Sequence, residues 1–202
     1  MTRGGILAII PKTIYTNENI TKIPTPSPIS HYLQAILINN KPITPILLLN
    51  MYMPSHPHDV HLIQNIQSEL QKITHNHQNH HIILAGDFNR DILLKVRSSN
   101  GITSPPNKDD YEWAHFTSTL GLQPINNLEQ FTRQGGHNYT STSHIDGFYS
   151  NKNTLQSYTI TNFNQNSDHY PVQLQLPTNS IVLKEIKTTP TNPRIIYPIP
   201  PH

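Results

Sequence analysis

The sequence predicts an α/β protein with a sheet at its core, because short apolar runs recur between turn residues and two segments have helical periodicity. Four runs have the length and the Ile and Leu content of buried strands. They are residues 4–10 (GGILAII), 32–38 (YLQAILI), 45–52 (PILLLNMY) and 81–87 (HIILAGD). Further strands are predicted around Phe131 and over residues 145–150, 155–161 and 169–176, the last from its alternating apolar residues.

Two helices are predicted between these strands. A stripe of four apolar residues at helical spacing predicts the first helix, for which Ser55 or Asp59 is the expected N-cap. A second helix is predicted from Asp109 to Leu120, since its first turn is acidic and Gly121 is a typical helix stop. The stripe of the first helix consists of Ile63, Ile66, Leu70 and Ile73.

Length and composition favour one domain in a soluble intracellular protein. The 202 residues suffice for one core, which we expect to span residues 1–177. Proline-rich residues 24–28 predict a loop, and residues 178–202 predict an extended tail or linker. A net charge of +2 with 13% charged residues argues against a broad basic face, and the absence of Cys excludes disulfide and thiolate chemistry. The apolar run before Pro11 is too short for a signal peptide or a membrane span.

The first polar cluster is Gly86-Asp87-Phe88-Asn89, which follows a predicted buried strand. If the backbone stays extended, Asp87 and Asn89 point to the same side, so that a carboxylate and an amide face one ligand. The alternative is an ordinary turn in which the Asp87 side chain binds the backbone two residues later.

Two further clusters precede later strands and contain Asp146, Asp168 and His169. A carboxylate that accepts a hydrogen bond from one imidazole nitrogen raises the basicity of the other, which is the role predicted for Asp146 toward His169. Strand-entry turns and a surface Asp-His pair are the alternatives. Taken together, the three clusters predict a metal-assisted site that cleaves phosphodiesters, since oxygen ligands suit Mg²⁺, with Mn²⁺ as the alternative ion.

Weaker candidates are Tyr52, at the end of another buried strand, and Tyr139-Thr140-Ser141. The Tyr52 phenol could reach a phosphate or simply pack, and hydroxyls near turns usually satisfy backbone groups. The histidine-rich residues 75–81 are interpreted as a solvated loop, because they lack the spacing of a metal site.

Read in order, GGILAII, NMYMP, AGDFN, SHIDGFY and SDHYPV resemble the endonuclease/exonuclease/phosphatase superfamily, the DNase I-like fold. The likeness is strongest to the endonuclease domain of non-LTR (LINE-type) retrotransposons. It implies a four-layer α/β sandwich of two packed mixed sheets, with the site where the sheet ends meet. It also implies Mg²⁺-dependent nicking of DNA, a nuclear location, and a reverse transcriptase domain if the chain belongs to a longer polyprotein.

The resemblance also implies roles for individual residues. Asp87 and Asn89 match an Asp-x-Asn motif that binds and aligns the attacking water and the phosphate. His169 matches the catalytic histidine and Asp146 its carboxylate partner. The remaining matches are Asp168 as a metal carboxylate beside Asp87, Tyr52 as the phosphate-side tyrosine, and Thr140 as a phosphate-binding hydroxyl.

The chain departs from the family pattern at its start. Members have two opening strands, one with an Asn and one ending in a metal-binding Glu, before the strand matched by residues 4–10. The resemblance therefore predicts an N-terminally truncated domain, and Glu18 cannot be the missing ligand by position. We expect poor soluble expression and nicking barely above background.

Two other hypotheses remain open. One is a phosphatase or phosphodiesterase of the same superfamily, although YTSTSHIDGFYS is more similar to the retrotransposon branch. The other is a noncatalytic relic of a retrotransposon. Metal-dependent plasmid nicking separates the endonuclease from the relic, and phosphate release from lipid or inositol substrates identifies the phosphatase.

Overall fold

The computed structural model describes residues 6–9, 19–39, 44–55, 60–94, 97–99, 102–125, 131–135, 141–152, 157–160 and 167–175. Its helices are α1 (Val60–Asn76) and α2 (Lys108–Thr119). Its strands are β1 (Ile20–Ile23), β2 (Leu33–Ile38), β3 (Ile46–Tyr52), β4 (His81–Asp87), β5 (Arg97–Ser99), β6 (Ile102–Ser104), β7 (Gln123–Ile125), β8 (Arg133–Gly135), β9 (Ser141–Ser143), β10 (Asp146–Ser150), β11 (Ser157–Ile160) and β12 (Val172–Gln175).

The largest sheet has six strands in the order β1-β2-β3-β4-β10-β7. Strands β3 and β4 are parallel and are joined by α1, whereas the other neighbouring pairs are antiparallel. The predicted buried strands are confirmed as β2, β3 and β4, whose inner positions are shielded from solvent. Because β3 and β4 run in the same direction, their carboxyl ends open at the same edge of the sheet.

Both predicted helices are present. Helix α1 buries Ile66, Leu70 and Ile73 of the predicted stripe. It begins at Val60, so Ser55 lies too far away to cap it, and Asp59 lies outside the described residues. Neither described helix is both long and apolar enough to cross a membrane.

Helix α2 begins one residue earlier than predicted, at a capping box formed by Asn107 and Asp110. It ends before Gly121, whose φ of 71° is the left-handed conformation typical of a glycine helix stop. The helix packs on the sheet through Trp113, whose ring lies 5.5 Å from that of Phe88 and 6.1 Å from that of Tyr149, measured between centroids. The Trp113 indole also donates to the Tyr149 hydroxyl at 3.0 Å, so this aromatic cluster joins α2 to β10 and to the residues after β4.

A second, antiparallel sheet contains four strands in the order β6-β5-β9-β8. Residues 167–170 lie along the free side of β8, with Arg133 opposite His169 and with the Tyr170 amide donating to the Thr132 carbonyl at 2.8 Å. The chain passes from β9 in this sheet to β10 in the large sheet within three residues. The junction between the two sheets is therefore where Asp146 and His169 meet.

The remaining predictions have mixed outcomes. Residues 24–28 form a loop as predicted, and β11 pairs with β12 in the expected later region. The strand prediction is wrong for residues 6–9, which have no strand pairing and leave Leu7 76% and Ile9 82% exposed. The backbone there is bonded by a side chain and not by a partner strand: the Gln34 side-chain amide donates to the Ile6 carbonyl at 2.9 Å. The predicted tail at 178–202 lies outside the described residues.

Candidate active site

Three strand ends align at one edge of the large sheet. Tyr52 on β3 is in register with Asp87 on β4, and Asp87 is in register with Asp146 on β10. Residues paired directly across neighbouring strands project from the same face of a sheet. His169 approaches from the second sheet, and ligand atoms of Asp87, Asp146 and His169 all lie within 4.8 Å of one another. Three residues that are far apart in the sequence therefore lie close together at this edge of the sheet.

His169 and Asp146 form a hydrogen-bonded pair. The Nδ1 atom of His169 lies 2.9 Å from Oδ2 and 3.1 Å from Oδ1 of Asp146, so Nδ1 carries the proton and donates it to the carboxylate. This hydrogen bond is the main cause that raises the pKa of His169, and it outweighs the opposing effect of burial. The other ring nitrogen, Nε2, lies 3.9 Å from Asp168 Oδ1, an ion-pair distance that is too long for a hydrogen bond, so its hydrogen-bonding position is open to a reacting group.

Asp87 is a strongly perturbed carboxyl group. Burial and then the negative charge of Asp146 raise its pKa from 3.8 to about 6, against smaller opposing effects of the Asn89 backbone and the charges of His169 and Arg133. Two adjacent carboxylates that repel each other in a partly buried site are a suitable donor set for a hard divalent cation. Asp87 and Asp146 would supply the oxygen ligands of such an ion.

The raised pKa of Asp87 predicts how the stability of the protein depends on pH. Since the folded-state pKa exceeds the unfolded value, the contribution of Asp87 is fully present below about pH 4 and is lost as pH rises through about 6. In EDTA, Asp87→Asn should therefore become increasingly stabilising relative to the wild type between about pH 4 and pH 7. Thermal denaturation across this range measures the difference. Glu112→Gln, at an exposed position on α2, is the control, and parallel curves for Asp87→Asn would contradict the shift.

Asn89 lies in a turn directly after β4 and not on an extended strand. Its φ is 47°, and its backbone amide donates to Asp87 Oδ1 at 2.9 Å, which is the local turn considered as the alternative. The side-chain Nδ2 donates to the Met53 carbonyl at 2.8 Å. The turn and the site are therefore compatible, because the same hydrogen bonds that make the turn fix both side chains.

Buried polar residues that were not predicted from the sequence hold this turn in place. Asp110 is fully buried, and its two oxygens accept from the backbone amides of Asp91 and Asn107, both at 2.7 Å. The Arg90 side chain, also buried, donates to the Asn89 carbonyl at 2.9 Å. The helix cap of α2 thereby fixes the site turn, and the Asn-x-x-Asp spacing before that helix was the signal available in the sequence.

Thr132 is a second supporting residue. Its hydroxyl is buried and accepts from the backbone amides of Ile145 at 3.1 Å and Asp146 at 3.0 Å. Its own carbonyl accepts from the Tyr170 amide at 2.8 Å. One residue therefore positions the chain on both sides of the His169–Asp146 pair. A threonine near a strand end gives no sequence signal for this role.

We expect Thr132→Val to cost about 1–3 kcal/mol of unfolding free energy, because it leaves the buried amide of Ile145 and the part-buried amide of Asp146 without this acceptor. Thr132→Ser keeps the hydroxyl and should cost less. The Nδ1 proton resonance of His169 should shift in the Val variant and be restored in the Ser variant, as measured by NMR. Equal shifts in both variants would show that the methyl group, and not the hydroxyl, matters.

The other predicted site residues have different surroundings. The carboxylate of Asp168 is paired with Arg133, whose Nη2 lies 2.8 Å from Asp168 Oδ2, so its role as a metal ligand stays a prediction. Tyr52 lies at the expected strand end and stacks on Tyr32 at a centroid distance of 6.3 Å. Thr140 lies outside the described residues. His75 lies in the last turn of α1, and His77 follows directly after the helix. Within the described part of the chain, the histidine-rich run forms no metal-binding group.

Comparison with solved structures defines the class of fold. The endonuclease domain of TRAS1, a telomere-specific non-LTR retrotransposon, is similar with a TM-score of 0.58 and 14% identity, over 78% of this chain and 68% of that domain. An endonuclease/exonuclease/phosphatase family protein from Leptotrichia buccalis C-1013-b gives 0.45 and 20% identity, over 71% of this chain and 54% of that protein. The human Nocturnin catalytic domain gives 0.40 and 14% identity, over 80% and 62%. The likeness to the TRAS1 domain shows the fold, which is the DNase I-like α/β sandwich.

The sequence identifies the family within this class. Residues 46–173 match the family model described as endonuclease-reverse transcriptase, and the chain belongs to that family. A search of curated protein sequences gives no match. The membership predicted from the ordered motifs is confirmed, and it makes phosphodiester hydrolysis the class of reaction to which the site belongs.

Proposed function

We propose that this chain is an endonuclease domain that nicks DNA by hydrolysing a phosphodiester bond with the aid of Mg²⁺. The observation that carries the proposal is the convergence of Asp87, Asp146 and His169 within 4.8 Å, at the edge of the large sheet where β3 and β4 end and β10 begins. Family membership supports the reaction class. The TRAS1 domain is a retrotransposon endonuclease, which supports DNA as the substrate.

In this proposal His169 binds the attacking water or the phosphate through Nε2, while Asp146 holds the ring by Nδ1. A cation held by Asp87 and Asp146 would neutralise charge on the phosphoryl oxygens. Asn89, fixed by its bond to Met53, orients the water or the phosphate. Tyr52 contacts the phosphate from the neighbouring strand end, and Thr140 is proposed as a further phosphate ligand.

The wider context is also a proposal. A retrotransposon endonuclease nicks chromosomal DNA, so a nuclear location follows from the substrate. A reverse transcriptase domain in the same polyprotein would use the new 3′-hydroxyl as its primer. The family description names both activities together, which supports this arrangement.

Relaxation of a supercoiled plasmid by the 202-residue chain tests the function. Any nicking should stop in EDTA, return with added Mg²⁺, and be eliminated in Asp87→Ala, with Glu112→Gln as the control. Nicking that persists in EDTA would rule out the mechanism. Phosphate release from inositol or lipid substrates without nicking would identify the phosphatase alternative, and neither activity would favour a noncatalytic relic.

A further inference from the structure

Arg133 and Asp168 form a closed ion pair beside the site. Both Nε and Nη2 of Arg133 bind the same oxygen, Asp168 Oδ2, at 2.9 and 2.8 Å. The pair lies directly against Gly135, where an added Cβ would be 3.0 Å from Arg133 Nη2 and 3.2 Å from Asp168 Oδ2. The absence of a side chain at Gly135 therefore leaves room for this pair.

The backbone directs the arginine toward the site. Arg133 is paired with His169 across an antiparallel bridge, so the two side chains project from the same face. The positive charge of Arg133 also acts on Asp87, where it lowers the pKa and so opposes part of the larger upward shift. No hydrogen bond from Arg133 Nη1 is found to another described residue, and the side chain is 36% exposed. The Arg133 guanidinium group therefore lies at the edge of the site, with the N–H groups of Nη1 available to a ligand.

The negative charge around the site favours a positively charged group at the position of Arg133. Asp87, Asp146 and Asp168 are three carboxylates around a site that is proposed to accept a negatively charged phosphodiester. A guanidinium group binds phosphate through paired N–H donors, provided that its plane is held in a fixed orientation. Asp168 supplies that orientation by holding one N–H each of Nε and Nη2, which leaves the second N–H of Nη2 and both of Nη1 for a ligand.

We propose that Arg133 binds a phosphate of the DNA substrate and that Asp168 is the positioning residue of Arg133, in place of the metal-ligand role predicted from the sequence. The inference rests on the proposed function. The two roles of Asp168 can be separated by measurement: loss of a metal ligand weakens Mg²⁺ binding, whereas loss of the partner of Arg133 weakens DNA binding.

Two titrations on the full chain separate these roles. The first is fluorescence anisotropy with a short labelled DNA duplex in Ca²⁺, repeated over a range of salt concentrations. The second is calorimetric titration of Mg²⁺ without DNA. Arg133→Gln should weaken duplex binding about tenfold and reduce the salt slope by about 0.9, while Mg²⁺ affinity is not reduced. Arg133→Lys should restore the salt slope but only part of the affinity.

The variant Asp168→Asn tests whether Asp168 positions Arg133. It should weaken duplex binding in the same direction and change Mg²⁺ affinity by much less than the roughly tenfold lost with an outer-shell partner, since in this proposal Asp168 neither ligates the cation nor holds a ligand. The double variant should bind DNA no more weakly than Arg133→Gln alone, because the two residues act as one unit. Lys72→Gln, which removes a charge from the exposed surface of α1, is the matched control.

The outcomes are distinguishable. Unchanged duplex binding by Arg133→Gln would overturn this inference and leave the proposed function intact. A loss of Mg²⁺ affinity of about tenfold or more in Asp168→Asn would show that Asp168 supports the metal, as a ligand or as the partner of one, and would overturn its assignment as a positioning residue of Arg133. Failure of the wild-type chain to bind the duplex would overturn the proposed function and this inference together. Thermal melting of each variant confirms that it is folded.

Discussion

His169→Ala should reduce the Mg²⁺-dependent nicking of the chain to background, a loss that in a fully active domain is on the order of 10²-fold or more, the usual scale for removal of a positioned acid–base group. The expectation follows from geometry, because Nδ1 is hydrogen-bonded to Asp146, whereas Nε2 has only Asp168 Oδ1 at 3.9 Å beside it and can still bind the substrate. Initial rates of plasmid relaxation measure the loss. His115→Ala, at an exposed position on α2, should leave the rate unchanged.

A double-mutant cycle tests whether His169 and Asp146 act as one unit. Asp146→Asn keeps the shape of the side chain but weakens the acceptor at 2.9 Å, so the correct ring tautomer is no longer enforced. Adding it to His169→Ala should cost little beyond the single change. The Asn side chain retains an oxygen for the cation, so fully multiplicative losses would mean that Asp146 does not act through His169.

The parts of the fold that the sequence predicted are those with a local signal. Strands β2, β3 and β4 were recognisable because each is a short apolar run between turn residues, and α2 was recognisable from its acidic start and from Gly121. The location of the site followed partly from this, since Tyr52 and Asp87 end neighbouring strands. The pairing of Asp146 with His169 was predicted from the chemistry of the two groups and from the family resemblance, because no spacing rule relates residues that lie in different sheets.

The parts that the sequence did not predict depend on tertiary contacts. The Arg133–Asp168 ion pair joins side chains that are 35 positions apart, and no spacing rule relates them. The left-handed Asn89 replaced the extended geometry because Asp87 and Met53 both bind it there. Residues 6–9 resemble a buried strand in composition, yet burial requires a neighbour, and composition alone does not supply one.

Gly86→Ala should destabilise the protein by more than about 3 kcal/mol, among the largest effects expected from a single methyl group. Gly86 has a φ of 149°, and an added Cβ would lie 1.8 Å from the carbonyl oxygen of Met51 on the adjacent strand. Backbone strain of about 1–3 kcal/mol therefore adds to a clash that only separation of β3 from β4 can relieve. Because Asp87 follows directly, this separation would also break the alignment of Tyr52, Asp87 and Asp146.

Gly121→Ala is the matched control for this prediction. Gly121 also has a positive φ, of 71°, but an added Cβ there would meet nothing within 4 Å, so only the backbone strain of about 1–2 kcal/mol should appear. Urea denaturation of the three proteins gives the two free-energy differences. If Gly86→Ala costs no more than Gly121→Ala, β3 and β4 are not held in close contact at this point. In that case, the alignment of the strand ends must be maintained by the hydrogen bonds of the turn at Asn89 and not by the close packing of the two strands.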